Sequence, residues 1–379
     1  MEKRLMVMLL ILYLIGMVIG DGSYPCEKVP AIYIFGDSTF DVGTNTFLKN
    51  SSSKADFKFY GIDFPHSKPT GRFCNGYNTA DQLAMLLGFQ QSPFPYLYLV
   101  KHSEIFQSEI LKGVNFASGG SGLLKLTGKG PYKEVVSMHE QVQQFKRVYK
   151  HISKYLNGSS SGADSRINKS IFLISVGSND IFEFFVNATG SGANFTEVVP
   201  QFMSNLMDTY KSHLQNLINL GARKLGIVSV APIGCVPIVR GTFGGNCSDG
   251  LNAIAELFYS SVQEMLTKLR TDCSDLKYSI GNTYNITNLI MLQDPSPLGL
   301  EDVKTACCGN ETLNPLTFPP TPIGVPCSPS ASVCEDRDTF LFWDQYHPTE
   351  YASYIAALSF FTAGPQFVSP TNFSILAQF

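Results

Sequence analysis

The chain has 379 residues, a formal net charge of −3 at pH 7 and 44% hydrophobic residues. This weakly acidic balance excludes the strongly basic surface that would attract nucleic acid or an anionic membrane. A single α/β domain of this length is feasible, because such folds can run well past about 200 residues. Since no linker interrupts the chain, we expect one domain over residues 23–379. From the charge, we expect no nucleic-acid partner.

Residues 1–22 have the three parts of a secretory signal peptide. Lys3 and Arg4 precede an apolar run from Leu5 to Ile19, which is followed by small residues. The alternative is an uncleaved membrane anchor, but the run is shorter than the ~20 residues that a spanning helix needs. The sequence therefore predicts a secreted, extracellular protein with no stable membrane anchor.

The cysteines also favour an oxidising compartment, where most of them would pair. All nine lie beyond residue 22, and the odd number leaves at least one unpaired or intermolecular. Cys307 and Cys308 are neighbours and are expected to bond to different partners among Cys327, Cys334 and Cys273. No Cys-x-x-Cys pair with zinc spacing occurs, so we expect no metal site. We also expect no cofactor.

Glycosylation sequons give independent support for secretion. The motif is short, so several of the nine matches are chance occurrences. The candidate positions are Asn50, Asn157, Asn168, Asn187, Asn194, Asn246, Asn285, Asn310 and Asn372.

The stretch from Ala31 to Ser38 has the pattern of a buried strand that ends in a tight turn. Five mostly apolar residues are followed by Gly, Asp and Ser. Ligands of open α/β sheets bind beyond the carboxyl ends of the strands, so Ser38 is a candidate nucleophile. Taken alone, the pattern more often marks a turn or helix-cap serine. The assignment therefore requires a base and an oxyanion site elsewhere in the chain.

The next elements are a helix, a short strand and a second helix. Apolar spacing predicts the first helix over residues 79–87, and residues 113–122 indicate a strand running into a glycine-rich turn. A nucleotide-binding loop is disfavoured there because no Gly-Lys-Ser/Thr follows. The second helix begins after Ser137, which forms a capping box with Glu140.

Three further strands alternate with long helices. Strands are predicted over residues 171–176, 225–230 and 278–284, and helices over residues 202–220 and 249–270. This alternation favours a parallel sheet covered on both faces. Together with the two earlier strands, it predicts a five-stranded parallel sheet.

A candidate base follows a proline-rich segment near the C-terminus. Asp344 and His347 precede Pro348, which suits the first position of a helix. The spacing allows the carboxylate to fold back onto the imidazole, so that its other nitrogen can accept a proton from Ser38. A lone histidine before a helix is more often a cap or surface residue, so this motif is weak when taken alone.

Four motifs in this order resemble the four blocks of the GDSL esterase/lipase family within the SGNH hydrolases. They are Phe-Gly-Asp-Ser ending at Ser38, Gly119-Gly120, Gly-Ser-Asn-Asp over residues 177–180, and Asp-x-x-His-Pro over residues 344–348. The plant branch of the family is suggested by residues 61–65, 69–73 and 232–235. The resemblance implies a three-layer α/β/α sandwich of flavodoxin-like type and carboxylic ester hydrolysis. For a secreted protein of this kind we expect location in the cell wall or apoplast, with the vacuole as the alternative.

By this resemblance, Ser38 would be the nucleophile, His347 the base and Asp344 the acid that orients the imidazole. The backbone N–H groups of Ser38 and Gly120 and the side-chain amide of Asn179 would form the oxyanion hole. These roles agree with the chemistry, because ester cleavage needs an activated hydroxyl, a proton shuttle and donors aimed at a developing alkoxide. The neighbouring Gly119 stays open as the alternative to Gly120.

The resemblance favours a serine hydrolase that cleaves lipid esters or acylated small molecules or polysaccharides through an acyl-enzyme. An acyltransferase using the same site is an alternative, because an alcohol can replace water in deacylation. A catalytically silent binding protein is another, since a fold does not by itself establish function.

Overall fold

The computed structural model describes residues 29–156, 160–309 and 326–379. The predicted signal peptide, the sequons at Asn157 and Asn310, and most of the proline-rich segment lie outside the described residues. In the described part of the chain, no helix is long and apolar enough to cross a membrane.

Within the described ranges, eight strands form one large and one small sheet. In chain order they are β1 (Ile32–Gly36), β2 (Gly113–Asn115), β3 (Ile171–Ser175), β4 (Lys224–Val228), β5 (Lys277–Gly281), β6 (Asp302–Ala306), β7 (Phe340–Phe342) and β8 (Val368–Ser369). The large sheet has the order β2-β1-β3-β4-β5-β8, and β6 pairs with β7 in the small one.

The predicted five parallel strands are present, but the large sheet has six strands rather than five. The additional strand, β8, is antiparallel to β5. It contains only two residues, too few to show the alternation or apolar run by which a strand is recognised in a sequence. The α/β fold class is otherwise confirmed.

Thirteen helices occur in the described residues. They are α1 (Thr79–Leu86), α2 (Tyr96–Lys101), α3 (Ser103–Glu109), α4 (Lys129–Tyr132), α5 (Met138–Tyr155), α6 (Ser160–Lys169), α7 (Ser178–Gly190), α8 (Phe195–Asn219), α9 (Pro237–Thr242), α10 (Asp249–Asp272), α11 (Thr283–Leu292), α12 (Glu350–Thr362) and α13 (Phe373–Gln378). On either side of the sheet, α8 packs against α5 and α10, and α12 packs against α1 and α13.

Aromatic side chains cover both faces of the large sheet. On one face, the ring of Phe145 in α5 lies 5.0 Å from the ring of Tyr33 in β1 and 5.2 Å from that of Phe172 in β3. On the other face, Phe373 of α13 packs over Gly226, where a Cβ atom would approach the Phe373 ring to 3.2 Å. All residues of β1, β3 and β4 are buried, as expected for parallel strands covered on both sides.

Several predicted helix boundaries are confirmed. Helix α1 starts at Thr79 and ends one residue before the predicted Leu87. Helix α5 has the predicted capping box, in which Ser137 accepts the Glu140 N–H and the Glu140 side chain accepts the Ser137 N–H. These boundaries were predictable because the residues that cap a helix are its sequence neighbours.

Three other boundaries were wrong. The predicted helix over residues 202–220 begins earlier, at Phe195, because Asn194 caps it and Pro200 is tolerated near its start. The fifth strand ends at Gly281, and the residues predicted to continue it begin α11. Pro348 is not the first residue of α12, since Thr349 caps that helix and accepts the Ala352 N–H.

The cysteines form three disulfides in the described residues. Cys307 bonds to Cys334 and Cys308 to Cys327, as predicted for neighbours with different partners. The third candidate partner, Cys273, forms no disulfide, and neither does the buried Cys74. The remaining bond joins Cys235 to Cys247.

A small hydrophobic cluster lies beside the β6–β7 sheet. We call it the cystine cluster, because buried disulfide sulfurs and aromatic rings form it together. Its buried members are Ala55, Tyr60, Phe73, Cys307, Cys308, Cys327 and Trp343.

Candidate active site

Ser38 lies in the turn beyond the carboxyl end of β1. Gly36, the last residue of the strand, has φ 143°, and a Cβ atom there would lie 2.0 Å from the carbonyl oxygen of Ser175 in β3. Only glycine fits at this position. The Asp37 N–H then donates to the same carbonyl at 3.0 Å, so β3 holds the start of the turn.

A chain of hydrogen bonds connects Ser38 with His347 and Asp344. The His347 Nε2 atom lies 2.7 Å from Ser38 Oγ. The other ring nitrogen, Nδ1, lies 2.8 Å from Asp344 Oδ2 and 2.9 Å from Oδ1. With the Nδ1 proton directed at the carboxylate, Nε2 is free to accept the serine proton.

Asp344 is 3% exposed and accepts three further hydrogen bonds. Its Oδ1 atom accepts the backbone N–H groups of Tyr346 and His347, each at 2.8 Å. Its Oδ2 atom accepts the Tyr60 hydroxyl at 2.7 Å. Burial alone would raise the pKa of Asp344, but the His347 charge and these hydrogen bonds lower it below its usual value. The carboxylate is therefore ionised at neutral pH.

The backbone around His347 forms a closed turn between β7 and α12. The Trp343 N–H donates to the His347 carbonyl at 2.8 Å, and the Thr349 hydroxyl donates to the Phe340 carbonyl at 2.7 Å. The Phe73 ring lies 5.1 Å from the imidazole. These contacts hold the imidazole in place from the backbone side and from one side of the ring.

Gly120 and Asn179 lie near Ser38 at the same edge of the sheet. At Gly120, φ is 81°, and a Cβ atom would lie 2.4 Å from the Tyr132 ring, so the position requires glycine. The Asn179 amide donates to the Ser121 carbonyl at 2.9 Å, which uses one of its two protons. Ser38, Gly120, Asn179 and His347 line one cavity of about 170 Å³.

The hydrogen bonds distinguish the two neighbouring glycines. The Gly119 N–H donates to Asp41 Oδ2 at 2.9 Å, and the Gly119 carbonyl accepts the Asn45 amide at 2.8 Å. The backbone N–H groups of Gly120 and Ser38 have no hydrogen-bond partner among the described residues. Gly120 is therefore the one of the two glycines with an available donor.

Two buried carboxylates hold the loops that carry these donors. Asp41 accepts the N–H groups of Gly43 and Thr44 as well as that of Gly119. Asp180, which is 2% exposed, accepts the N–H groups of Leu123 and Leu124 and a hydroxyl. Burial raises the pKa of each carboxyl to about 6, although the hydrogen bonds act in the opposite direction.

Sequence reasoning assigned no role to Tyr60 or Asp180. Tyr60 is 284 residues from its partner Asp344, so no local pattern could connect them. Asp180 directly follows Asn179 in the Gly-Ser-Asn-Asp motif, and its position after a strand was the only available signal.

Among the described residues, no group of three His, Cys, Asp or Glu side chains could hold a metal ion.

Seven of the nine sequons lie in the described residues. Asn168 is half-buried, and so is Asn372, whose side chain caps α13 by accepting the Ile375 N–H. The exposed asparagines are Asn50, Asn187, Asn194, Asn246 and Asn285.

Comparison with known proteins identifies the family of this chain. The profile of the family described as GDSL-like lipase/acylhydrolase matches residues 32–360. The Arabidopsis thaliana protein named GDSL esterase/lipase At5g55050 is 36% identical over 93% of this chain and 90% of its own length. Two further proteins of the same plant are also similar. GDSL esterase/lipase At4g16230 is 32% identical over 93% of this chain and 92% of its own length. GDSL esterase/lipase 6 is 32% identical over 98% of this chain and 96% of its own length.

The family match extends from β1 to α12 and includes Ser38, Gly120, Asn179, Asp344 and His347. The relatives align over nearly their whole length, so the similarity is not confined to the motifs. The chain therefore belongs to the GDSL-like lipase/acylhydrolase family of carboxylic ester hydrolases.

Proposed function

We propose that this protein is a secreted serine hydrolase that cleaves carboxylic esters through an acyl-enzyme, with Ser38, His347 and Asp344 as its catalytic triad. The observation that carries the proposal is the hydrogen-bonded chain from Ser38 Oγ through both ring nitrogens of His347 to Asp344. An ordinary turn serine would not need such an arrangement. The ring geometry suits transfer of the serine proton to Nε2.

In the first half of the reaction, Ser38 Oγ attacks the carbonyl carbon of the ester while His347 Nε2 takes the hydroxyl proton. The carbonyl oxygen becomes an oxyanion, which the N–H groups of Ser38 and Gly120 and the second amide proton of Asn179 stabilise. The tetrahedral intermediate then collapses. The bond to the alcohol oxygen breaks, and the imidazolium donates its proton to the departing alcohol.

In the second half, water enters the position that the alcohol has left. His347 Nε2 accepts a proton from the water, whose oxygen attacks the acyl carbonyl and forms a second oxyanion in the same site. Collapse releases the carboxylic acid and returns the proton to Ser38 Oγ. Throughout both halves, the ionised Asp344 keeps the Nδ1 proton in place and stabilises the imidazolium.

Secretion is part of the proposal and has separate support. The protein has three disulfides in its described residues and five exposed sequon asparagines. Disulfides of this number are typical of oxidising compartments. In protein from its native source, deglycosylation should lower the apparent mass, and the mature N-terminus should lie near residue 21 or 23. An intact Met1 without a mass change would contradict secretion.

The triad can be tested with a fluorophosphonate probe, which labels activated serines. We expect labelling at Ser38, and loss of labelling in Ser38→Ala with an unchanged circular dichroism spectrum. Ester hydrolysis should fall by about 10⁴-fold or more in the same variant. Ser178→Ala is the matched control, because it removes a second serine that lines the same cavity and should leave labelling in place. Labelling at another residue would contradict the assignment.

A further inference from the structure

The cavity beside Ser38 continues along the carboxyl edge of the large sheet. Residues that follow four strands line it, namely Ser38 after β1, Asn179 after β3, Ser229 after β4 and Thr283 after β5. These strands are neighbours in the order β1-β3-β4-β5. Three interstrand spacings of about 4.8 Å give the cavity a length of roughly 14 Å.

Apart from the hydroxyl side chains of Ser229, Thr283 and Thr287, small and apolar side chains form the far part of the cavity. Helix α11 contributes Ile286 and Ile290, and α12 contributes Ala352 and Ala356. The two alanines leave space between the helices that larger side chains would fill. A slot of this shape is suited to an unbranched hydrocarbon.

The Phe360 ring closes the cavity at β5. It is fully buried and packs on the backbone of Gly281, where a Cβ atom would lie 2.4 Å from the ring. It also stacks on Phe373 at 5.9 Å between ring centroids, so it cannot easily move away. The cavity therefore has a defined end, which sets a maximum length for an occupant.

The far part of the cavity offers no cation to an anionic occupant. Among the described residues that line the cavity there is no Lys, Arg or Glu, and the single carboxylate, Asp37, lies beside Ser38 at the catalytic end. Without cations, an anionic group in the far part would lose its hydration and gain no partner. A hydrocarbon chain instead gains about threefold to fourfold in binding for each methylene that leaves water.

We propose that this cavity is the acyl-chain site and that it takes an unbranched aliphatic acyl group of about eight to twelve carbons, with Phe360 as its end wall and Ala356 and Ile290 as its side walls. The inference rests on the proposed function, since the acyl carbonyl must lie at Ser38. The length follows from the cavity, because an extended chain with bonds of about 1.5 Å advances roughly 1.25 Å per carbon.

The first test is the chain-length profile of the purified protein on p-nitrophenyl esters from acetyl to palmitoyl. We expect kcat/KM to rise with each methylene and to be greatest between eight and twelve carbons, then to fall as the chain meets Phe360. A profile that is greatest for the acetyl ester, or that rises without a maximum to palmitoyl, would overturn the proposal.

The second test makes the cavity smaller in one variant and larger in another. In Ala356→Phe, a ring occupies the slot, and the ratio of kcat/KM for the decanoyl ester to that for the acetyl ester should fall at least about tenfold. In Ile290→Ala, the loss of three side-chain carbons from the wall enlarges the cavity, and the maximum should move by about two carbons towards longer chains. Leu292→Ala is the matched control, because Leu292 is also on α11 but is 82% exposed and outside the cavity. It should not change the profile.

The outcomes separate this inference from the proposed function. If the protein hydrolyses the acetyl ester and is labelled at Ser38, but Ala356→Phe and Ile290→Ala keep the wild-type profile, the acyl-chain site is wrong and the esterase function stands. If Ser38 is not labelled and no ester is cleaved, the proposed function itself fails. Retention of the wild-type melting temperature shows that a changed profile does not arise from unfolding. Should Ala356→Phe not fold, Ile290→Ala still decides the question.

Discussion

The two sides of the proposed catalytic centre are held in different ways. The nucleophile side consists of Ser38, Gly120 and Asn179, which follow β1, β2 and β3 of the large sheet. The histidine side is the turn from Asp344 to His347, which follows β7 of the small sheet. The strands of a continuous sheet position the first side, whereas the small sheet and the cystine cluster position the second.

Each side also contains a buried carboxylate, and the two carboxylates differ in their surroundings and in the direction of their pKa shifts. On the nucleophile side, Asp180 accepts backbone N–H groups and forms no ion pair with a described residue, and burial raises its pKa to about 6. On the histidine side, burial also acts to raise the pKa of Asp344, but His347 and several hydrogen bonds lower it. The first carboxylate organises a loop, and the second is kept ionised next to the group that gains a proton in the proposed reaction. In the proposed mechanism, the same residue type thus serves structure on one side and chemistry on the other.

On the nucleophile side, we expect the largest effect among the variants below from Asn179→Ala. Loss of one oxyanion donor typically lowers kcat by about a hundred- to a thousandfold. KM and the melting temperature should change little, because the donor matters mainly in the transition state. Asn179→Asp should be at least as damaging, since its carboxylate would face the developing negative charge. Both variants should be measured by steady-state kinetics and by thermal unfolding. A near-normal kcat in Asn179→Ala would show that Asn179 is not part of the oxyanion hole.

On the histidine side, the Cys308–Cys327 disulfide should matter for both stability and rate. Its sulfurs lie in the cystine cluster, and the Cys308 N–H donates to the Trp343 carbonyl at 2.7 Å, next to Asp344. The double variant Cys308→Ala/Cys327→Ala should lower the free energy of unfolding by about 3 kcal/mol. Fluorophosphonate labelling of Ser38 should slow by about tenfold or more, because a displaced base is less effective.

The control for this prediction is Cys235→Ala/Cys247→Ala, which removes the disulfide that lies outside the cystine cluster. It should also lower stability, but its effect on the labelling rate should be clearly smaller. Equal slowing in both double variants would show that the histidine side does not depend specifically on the cystine cluster.

Tyr60→Phe tests how Asp344 is supported and should have a smaller effect. The ring still packs in the cystine cluster, but the hydrogen bond to Asp344 Oδ2 is lost, which should lower kcat by about tenfold. With one donor fewer, the carboxylate attracts the imidazolium more strongly, so the rise of kcat/KM with pH should move to higher pH. Tyr155→Phe, at an exposed tyrosine, is the control. If the dependence of kcat/KM on pH is the same in Tyr60→Phe as in wild type, Tyr60 contributes only by packing in the cystine cluster.

The smallest effect concerns Glu350, the first residue of α12, a few residues beyond His347. Burial, with nearby acidic residues, raises the pKa of Glu350 to about 7 although it accepts a backbone hydrogen bond from Tyr77. A carboxyl whose pKa is raised in the folded state stabilises the fold below its unfolded pKa of 4.5, and this stability is lost as the pH rises through about 7. The side chain is partly solvated, so we expect the effect to be only about 1 kcal/mol.

The measurement is urea unfolding of wild type and Glu350→Gln at pH 5 and pH 8. Because glutamine cannot ionise, the stability of the variant relative to wild type should rise by about 1 kcal/mol between these values. Glu104→Gln, at an exposed glutamate, should show no such trend. A constant difference between wild type and Glu350→Gln would show that Glu350 does not titrate in this range.

Much of the candidate site was accessible from the sequence because it consists of short local motifs. Ser38 follows an apolar strand directly, and Asp344 and His347 are three residues apart in one turn. The choice between Gly119 and Gly120 was not accessible, since it depends on whether Asp41 accepts the Gly119 N–H from 78 residues away. Tyr60 was missed for the same reason.

By itself, the sequence determined the alternation of strands and helices, the polar turns at the strand ends and the capping box of α5, because each depends on residues adjacent in the chain. The tertiary structure alone decided the addition of β8, the pairing of Cys307 and Cys308, and the path of the cavity from Ser38 to Phe360. In each case the partners are far apart in sequence, and only the packing of helices on the sheet brings them into contact. The apolar residues of α11 and α12 are ordinary core residues in the sequence, and they become the walls of a cavity only because the two helices leave space between them.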